Sequence, residues 1–158
     1  MDAYPAPTLE VEHQADGRFQ IRDKQRQFAL VVDAEPKLDE PQKLHDTLIE
    51  GALVKAADFS LVVQLDNDVR QRAYDSRDRA EFQASFAKMM SWDGARPDDA
   101  KPITLAGQPA TQIAIATKQP PELGILLVMP AHHRRYIFSC RGDTARCQQA
   151  VASGLSLH

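Results

Sequence analysis

The sequence predicts an α+β fold, with a single antiparallel β-sheet flanked by helices. Short segments that alternate apolar and polar residues, separated by Gly, Pro and Asp turns, indicate strands joined as hairpins. Apolar residues at positions 82, 86, 89 and 90 form a helical stripe broad enough to cover one face of a sheet. With 158 residues, the chain has room for one core. We therefore expect a flexible segment at 1–7, one domain over 8–158 and about six to eight strands.

Composition and charge are close to those of an ordinary globular protein. Apolar residues make up 43 % of the chain and charged residues 26 %. The 19 Lys and Arg and the 22 Asp and Glu give a net charge of -3 without a basic block, which argues against nucleic acid as a partner. The longest apolar run, Ile125 to Pro130, is far shorter than the roughly 20 residues that cross a bilayer. We expect no membrane-spanning segment, and a lipid anchor would require a leader that precedes this sequence.

The amino-terminal third predicts a meander of three short strands. Residues Thr8 to His13 and Arg18 to Asp23 alternate between two faces, and Ala15 to Gly17 supplies the turn between them. Residues Phe28 to Asp33 are more continuously apolar, which predicts a better-buried strand.

The next stretch, Leu38 to Ala57, is compatible with two structures. Pro41 suits the first turn of a helix, although Gly51 weakens such a helix by about 1 kcal/mol relative to Ala. Apolar residues recur at four-residue spacing, at Leu44, Leu48, Ala52 and Ala56. The alternative is an extended Leu48 to Lys55 that pairs with the following strand. We favour the helix.

The middle of the chain predicts a strand, a polar turn and a strong helix. Ser60 to Leu65 is the strand, and Asp66 to Asp68 is the turn. Asp75 and Asp78 follow, but their spacing lacks the central Gly and terminal Glu of a calcium-binding EF-hand loop, so we expect a solvated acidic surface. The helix spans Asp78 to Ser91.

The last third predicts two antiparallel hairpins and a closing helix. The four strands are Ile103–Ala106, Ala110–Thr117, Gly124–Met129 and Arg134–Cys140. Gly107 to Pro109 turns the first pair of strands, and Pro130 to His132 turns the second. The helix spans roughly Thr144 to Ser153, with Gly142 as the turn residue before it and Asp143 or Thr144 as its cap.

The carboxyl-terminal half resembles PsbP-like and DcrB-like domains. The run Lys101 to Thr117 forms a strand, a Gly turn and a return strand, and Arg135 to Cys140 leads into a helix that closes on Val151 to Leu157. The resemblance covers roughly the 80 residues from Arg79 onward. It implies an αβα sandwich in an accessory subunit, envelope lipoprotein or chaperone-like binder, and it carries over no catalytic residues. The two cysteines depart from the family pattern.

Cys140 and Cys147 predict a structural disulfide. A strand that turns directly into a covering helix brings two Cβ atoms within the roughly 4 Å that a disulfide requires. Two free buried thiols are the first alternative. A redox or metal site is the second, but the spacing is not the C-x-x-C arrangement that lowers a thiol pKa. A disulfide would imply an oxidising compartment, the periplasm or envelope.

No catalytic or metal-binding motif is present in the sequence. It contains no G-x-S-x-G, P-loop or H-E-x-x-H pattern. His132 and His133 are adjacent, so on extended backbone they point to opposite faces, and a polar turn explains them better than a metal. We expect no enzymatic activity, no cofactor and no metal.

The residues most suited to binding a partner are apolar. Met89, Met90 and Trp92 end the helical stripe, while Tyr136 and Phe138 share one face of the last strand. Core packing is the more common role for such residues, and an adaptable Met-rich surface for another protein is the alternative. Any sheet face that no helix covers is the place to expect the partner.

These observations predict a non-catalytic protein-binding or accessory protein of the bacterial envelope or periplasm. Inhibition of a secreted toxin, as by an immunity protein, is one specific form of that role. The alternatives are a cytoplasmic chaperone or adaptor for a secretion-system effector, and a small-molecule or lipid-binding domain. The chaperone would have reduced cysteines and form a symmetric dimer, and the lipid-binding domain would need a cavity of a few hundred Å³.

Overall fold

The computed structural model describes residues 4–68, 84–86, 88, 100–115 and 118–158. Strand accounts for 58 % of the structure and helix for 14 %, and the strands form two antiparallel sheets. The expected α+β sandwich, one sheet flanked by helices, is therefore wrong. The amino-terminal strands are not part of the main sheet, since they form a sheet of their own.

The small sheet joins the two ends of the chain. Its strands are β1 (Leu9–His13), β2 (Phe19–Asp23), β3 (Phe28–Val32) and β12 (Leu155–Leu157), in that order. The three amino-terminal strands confirm the predicted meander. The added strand β12 pairs Leu155 with Leu30 and Leu157 with Phe28, so the carboxyl end closes the sheet.

The large sheet contains eight strands. They are β4 (Lys37–Leu38), β5 (Gln42–Leu44), β6 (Thr47–Lys55), β7 (Phe59–Asp68), β8 (Ala100–Leu105), β9 (Gln108–Ile115), β10 (Glu122–Met129) and β11 (Arg134–Gly142). The order is β4-β6-β7-β11-β10-β9-β8, and β5 also pairs with β6. The predicted carboxyl-terminal hairpins are confirmed, because β8 pairs with β9 and β10 with β11, both antiparallel.

The helix α1 (Thr144–Gly154) follows β11 after one residue, as the sequence predicts. The Asp143 side chain accepts a hydrogen bond from the Arg146 backbone N–H and caps the helix. Gly142 has φ +105° and lies so close to the Asp58 carbonyl that a Cβ would come within 2.7 Å of its oxygen. Glycine is therefore required at this turn.

The disulfide between Cys140 and Cys147 is present, with the two Cα atoms 5.9 Å apart. Both cysteines are buried in the main core. The bond fixes the first turn of α1 to the end of β11, so the helix is attached covalently to the central strands of the large sheet.

The main core lies between the two sheets. Its members face inward from alternate positions of the strands, as expected for packed antiparallel sheets. Strand β7 contributes Leu61, Val63 and Leu65, and β11 contributes Tyr136 and Phe138. The small sheet and α1 supply the facing side chains, which include Ile21, Phe28, Leu30, Cys147 and Val151.

A second apolar cluster covers part of the outer face of the large sheet. Its buried members are Phe86, Ile113, Ile115, Leu126, Val128 and Ile137. Residues 84–86 and 88 are helical, so this part of the predicted 78–91 helix covers the strands β9 to β11. Met89, Met90 and Trp92 lie outside the described residues. Within the described ranges, no helix has both the length and the apolar character that crossing a membrane requires.

The favoured helix over Leu38 to Ala57 is wrong, and the extended alternative is confirmed. Strand β6 pairs along its whole length with β7, from Thr47 opposite Asp68 to Lys55 opposite Ser60. A four-residue spacing of apolar residues is also a multiple of the two-residue period of a strand, so it does not distinguish the two structures. The buried Glu50 interrupts the alternation of apolar and polar residues, so the sequence pattern does not identify the strand.

The predicted polar turn at Asp66 to Asp68 is also wrong. These residues continue β7, and all three are buried. Asp66 accepts hydrogen bonds from Arg135 Nε at 2.6 Å and from Gln64 at 2.8 Å, which compensates for its removal from water. The solvated acidic surface therefore does not include Asp66 or Asp68, and Asp75 and Asp78 lie outside the described residues.

Replacing Cys140 and Cys147 together by Ser should lower the free energy of unfolding by about 2–3 kcal/mol, because the disulfide closes a short loop in the unfolded chain. Urea denaturation of the oxidised wild type and of the double variant measures the difference. Reducing the wild type should give the same loss. A difference below about 0.5 kcal/mol, within the usual scatter of surface substitutions, would show that the disulfide does not stabilise the fold.

Candidate functional site

Polar residues collect at one end of the sandwich and line a pocket of about 650 Å³. Its walls are the amino-terminal segment 5–8, the β2–β3 turn, the end of β7 and the turn between β10 and β11. We call this the polar pocket. It lies at the end where both sheets present strand termini, at the opposite end of β11 from the disulfide.

The floor of this region is a buried ion pair. Arg134, the first residue of β11, donates from Nη1 to Asp23 Oδ2 at 2.9 Å, and both side chains are buried. The other oxygen of Asp23 accepts hydrogen bonds from the backbone N–H groups of Gln27 and Phe28. The pair therefore links the β2–β3 turn of the small sheet to the large sheet. Removing one partner of such a pair costs about 3–5 kcal/mol, because the remaining charge stays buried.

A buried carboxylate anchors the amino-terminal wall. Glu50 accepts hydrogen bonds from the backbone N–H groups of Thr8 and Leu9, at 2.5 and 3.0 Å, and from the Thr8 hydroxyl. It also accepts one from Asn67 Nδ2 at 2.9 Å. Glu50 is thus buried on β6 because its two oxygens receive four hydrogen bonds, and the segment 5–8 is held over the end of β7.

His132 joins the pocket to the core. Its Nδ1 lies 2.9 Å from the Tyr136 hydroxyl, and its Nε2 lies 2.7 Å from the backbone oxygen of His158. Burial away from water lowers the pKa of His132 below its usual value, and the hydrogen bond to the His158 backbone oxygen offsets part of this effect. Burial raises the pKa of Tyr136 to about 12. A neutral imidazole therefore bridges a core phenol and the last residue of the chain.

Three buried polar atoms of the pocket-lining residues have no hydrogen-bond partner. They are Gln27 Oε1, Asn67 Oδ1 and Arg134 Nε. Among the described side chains, the fourth such atom belongs to Gln112 on β9 and is not in this pocket. An unsatisfied buried group costs about 1–3 kcal/mol. Three of these four atoms therefore belong to residues at this end of the sandwich, although the atoms themselves are closed off from the pocket surface.

The pocket was not predicted from the sequence. The sequence predicts a polar turn at His132 and His133. The turn is present, but the His132 side chain is buried and bridges two groups. Asp23 and Glu50 alternate with apolar residues on predicted or possible strands, whereas Asn67 lies in the predicted polar turn although it continues the alternation of Leu61, Val63 and Leu65. An inward-facing polar position among apolar neighbours is the signal that could have found them. Which polar groups meet depends on strand order, which the sequence pattern does not contain.

The partner-binding candidates on β11 lie in the core. Tyr136 and Phe138 are fully buried, and Tyr136 stacks on Phe28 with ring centroids 5.1 Å apart. They are therefore inaccessible to a partner in the folded chain. Within the described ranges, no three His, Cys, Asp or Glu side chains are grouped so that they could hold a metal ion.

A partly uncovered apolar surface lies on the outer face of β5, β6 and β7. It is formed by Leu44, Ile49, Leu53 and Val62, which share this face through strand pairing. Leu44 is 55 % exposed and Val62 is 36 % exposed, while Ile49 and Leu53 are half-buried. We call this surface the open face. It contrasts with the part over β9 to β11, where Ile113, Leu126 and Val128 are buried.

A second cleft of about 770 Å³ lies beside α1. Its rim carries Arg146, which forms an ion pair with Asp58, and its floor includes Val54 and Ala150. Both of these rim side chains, Arg146 and Asp58, are exposed.

The pH dependence of stability should report the buried His132. Between its lowered folded pKa and about 6.5, the usual value in unfolded chains, only the unfolded chain binds the extra proton. Its contribution is therefore complete above pH about 6.5 and is lost as the pH falls through that value toward the folded pKa.

The variant His132→Gln removes this titration. The difference in unfolding free energy between wild type and His132→Gln should shrink from pH about 7.5 to pH about 5 in urea denaturation. His13→Gln is the control, since His13 is exposed on β1 and packs only its ring against Phe19 among the contacts described. A constant difference across this range would show that His132 does not change protonation on unfolding.

The chain as a whole was compared with known proteins at three levels. It matches no protein-family model, no curated protein and no solved structure. The resemblance of the carboxyl-terminal half to PsbP-like domains therefore stays a prediction.

Proposed function

We propose that the chain is a non-catalytic binding protein that holds another protein in the bacterial envelope or periplasm. Inhibition of a secreted toxin, in the manner of an immunity protein, is its specific form. The observation that carries the proposal is the open face, where apolar side chains remain accessible next to a part of the same sheet that is covered. Accessible apolar patches of this kind are typical of protein interaction sites.

The partner would dock against the sheet face and would not add a strand to the sheet edge. The edge beside β6 is split into β4 and β5, of two and three residues, with Pro41 between them. Lys37 and Lys43 also lie on these short strands. Short edge strands, Pro and Lys are the features that prevent an edge from pairing with another chain.

The border of the open face indicates the chemistry of the partner. Lys37 pairs with Leu53 and shares its face, and Lys55 lies on the same face two residues further along β6. Both lysines are exposed. A partner that presents an apolar patch with acidic side chains at its border complements this surface, because rim charges guide association and its orientation.

The disulfide supports the compartment. Disulfides persist in oxidising spaces such as the periplasm and are rare where thiols are kept reduced. The cytoplasmic chaperone or adaptor would instead carry two thiols and pair through its apolar face as a symmetric dimer. The small-molecule alternative would rest on the polar pocket, which does not overlap the open face.

Charge introduced into the open face should weaken partner binding. The partner is recovered from the native source with tagged chain and identified, and its affinity is then measured by calorimetry. Val62→Lys and Leu44→Lys should each reduce the affinity at least tenfold, about 1.4 kcal/mol. Gln20→Lys, on the outer face of the small sheet, is the matched control and should bind like the wild type.

Two results would contradict this proposal. One is a partner whose affinity is unchanged by Val62→Lys, measured on a variant with wild-type unfolding behaviour. The other is sedimentation of the wild type as a dimer that Val62→Lys converts to a monomer, which would favour the chaperone alternative.

The redox state of the cysteines tests the compartment separately. Cells of the native source are quenched with acid, and the unfolded chain is treated with a thiol reagent without reductant. We expect no labelled cysteine, because Cys140 and Cys147 are joined. Reductant added first should give two labels and is the positive control. Two labels without reductant would place the chain in a reducing compartment.

A further inference from the structure

We propose that His132 is a pH-sensitive latch that holds the carboxyl-terminal strand β12 on the small sheet. The neutral ring connects the end of β12 to the turn between β10 and β11. When the ring takes up a proton, it leaves this position and β12 separates from β3, while the rest of the fold stays intact. The latch involves neither the open face nor a bound ligand, so it does not depend on the partner-binding proposal.

The imidazole of His132 takes the place of a backbone donor between β3 and β12. Their register continues to His158 opposite Gln27, and the His158 N–H donates to the Gln27 carbonyl at 2.9 Å. In a regular antiparallel pair the Gln27 N–H would donate back to the His158 oxygen, but it donates to Asp23 Oδ1 at 2.8 Å. The His158 oxygen is bonded instead by His132 Nε2, at 2.7 Å. The last hydrogen-bonded pair of β12 therefore includes a side chain that can titrate.

The two partners of His132 determine where its ring hydrogen lies. The His158 oxygen can only accept, so Nε2 carries the hydrogen. Nδ1 of the neutral ring is then an acceptor, and the Tyr136 hydroxyl, 2.9 Å away, donates to it. Both ring nitrogens are thus satisfied by the neutral form.

Protonation of Nδ1 makes the same position unfavourable. Nδ1 would present a hydrogen to the Tyr136 hydroxyl, which would have to turn its own hydrogen away. Tyr136 is fully buried and the neighbouring Arg134 carries only donors, so neither bulk water nor this guanidinium can accept the displaced hydrogen. A buried hydroxyl hydrogen without an acceptor destabilises the charged ring where it lies.

Polar and charged groups face the imidazole from the elements around it. Arg134 on β11 and His133 in the same turn oppose a positive ring, whereas Asp23 on β2 and the His158 oxygen on β12 favour one. Strand β3 carries no titratable side chain. Removal from water is the largest effect and opposes the charge, so the pKa of the ring lies below its ordinary value. A proton that binds near this end of the molecule therefore favours a conformation in which the ring reaches water.

Strand β12 is the element that a displaced ring would free first. It has three residues, lies at the edge of the small sheet and pairs there with β3. The preceding helix α1 is held independently, because the disulfide attaches Cys147 to β11. Short segments at an edge open locally at a lower free energy than central strands do. Release of the ring should therefore detach β12 without unfolding the chain.

Separation of β12 would uncover one edge of β3. Strand β12 pairs with Phe28 to Leu30, and its Leu155 belongs to the main core. A sheet edge with unpaired backbone groups can take up a strand from another molecule. The latch would therefore keep this edge closed at neutral pH and make it available at acidic pH.

The test is two-dimensional NMR of the full chain from pH about 7.5 to pH about 5, a range that spans the ordinary histidine pKa. The amides of residues 155–157 and of Ala29 should move toward unfolded values together with the ring protons of His132. The ratio of detached to paired β12 should rise by up to about tenfold per pH unit below pH about 6.5. The amides of Val63 and Phe138, on the central strands, should not move.

The variant His132→Gln keeps a side-chain N–H that can donate to the His158 oxygen but cannot titrate. We expect its β12 amides to stay unchanged over the same pH range. His13→Gln is the matched control, because His13 is exposed on β1, and its β12 should detach as in the wild type. The common midpoint of the His132 ring and the β12 amides in the wild type tests the latch without any variant.

Three results would overturn the proposal. The first is β12 amides that stay unchanged down to pH about 5, whether or not the ring titrates. The second is loss of the signals of β12 and of the central strands with one midpoint, which would mean unfolding of the whole chain. The third is detachment of β12 in His132→Gln over the same range, which would assign the pH dependence to another group.

Discussion

The structure depends on the pairing of β7 with β11 at the centre of the large sheet. Nine residue pairs join these strands, from Arg134 opposite Asn67 to Gly142 opposite Phe59. The inner side of this pair presents a continuous apolar surface that neither strand can bury alone. Apolar surface removed from water contributes about 25 cal/mol per Å². The small sheet and α1 are held in place because they cover this surface, so both ends of the chain converge on it.

The two ends of the β7–β11 pair are closed by different chemistry. At one end the disulfide joins β11 to α1, and the requirement for Gly142 allows the chain to turn against the Asp58 carbonyl. At the other end the closure is polar, since Arg134 bonds to Asp23 and Asn67 bonds to Glu50. The first end is fixed by one covalent bond between buried residues, whereas the second is held by a network of buried hydrogen bonds.

The sequence predicted local structure well wherever the spacing of apolar residues fits only a strand or only a helix. The three amino-terminal strands, the carboxyl-terminal hairpins, α1 and the disulfide all follow from alternation, turn residues and cysteine spacing. It failed where buried polar residues interrupt the pattern. The buried Glu50 interrupts the strand pattern of β6, and the polar residues Asp66 to Asp68 make β7 look shorter than it is. These groups can be buried because they have hydrogen-bond partners on strands that are far away in the sequence. Such partners are fixed by strand order, which no local pattern contains.

The polar pocket could not be predicted for the same reason. Each of its polar residues has a local explanation in the sequence, as a turn or a strand end. Only the fold brings Gln27, Asn67 and Arg134 to the walls of one pocket. Other buried polar groups at this end of the molecule do have partners, since Glu50, Asp23 and His132 each form hydrogen bonds. The unpaired atoms of Gln27, Asn67 and Arg134 lie inside that network and are closed off from the pocket surface. At about 1–3 kcal/mol each, they offset part of the stability that the hydrogen bonds of the network provide.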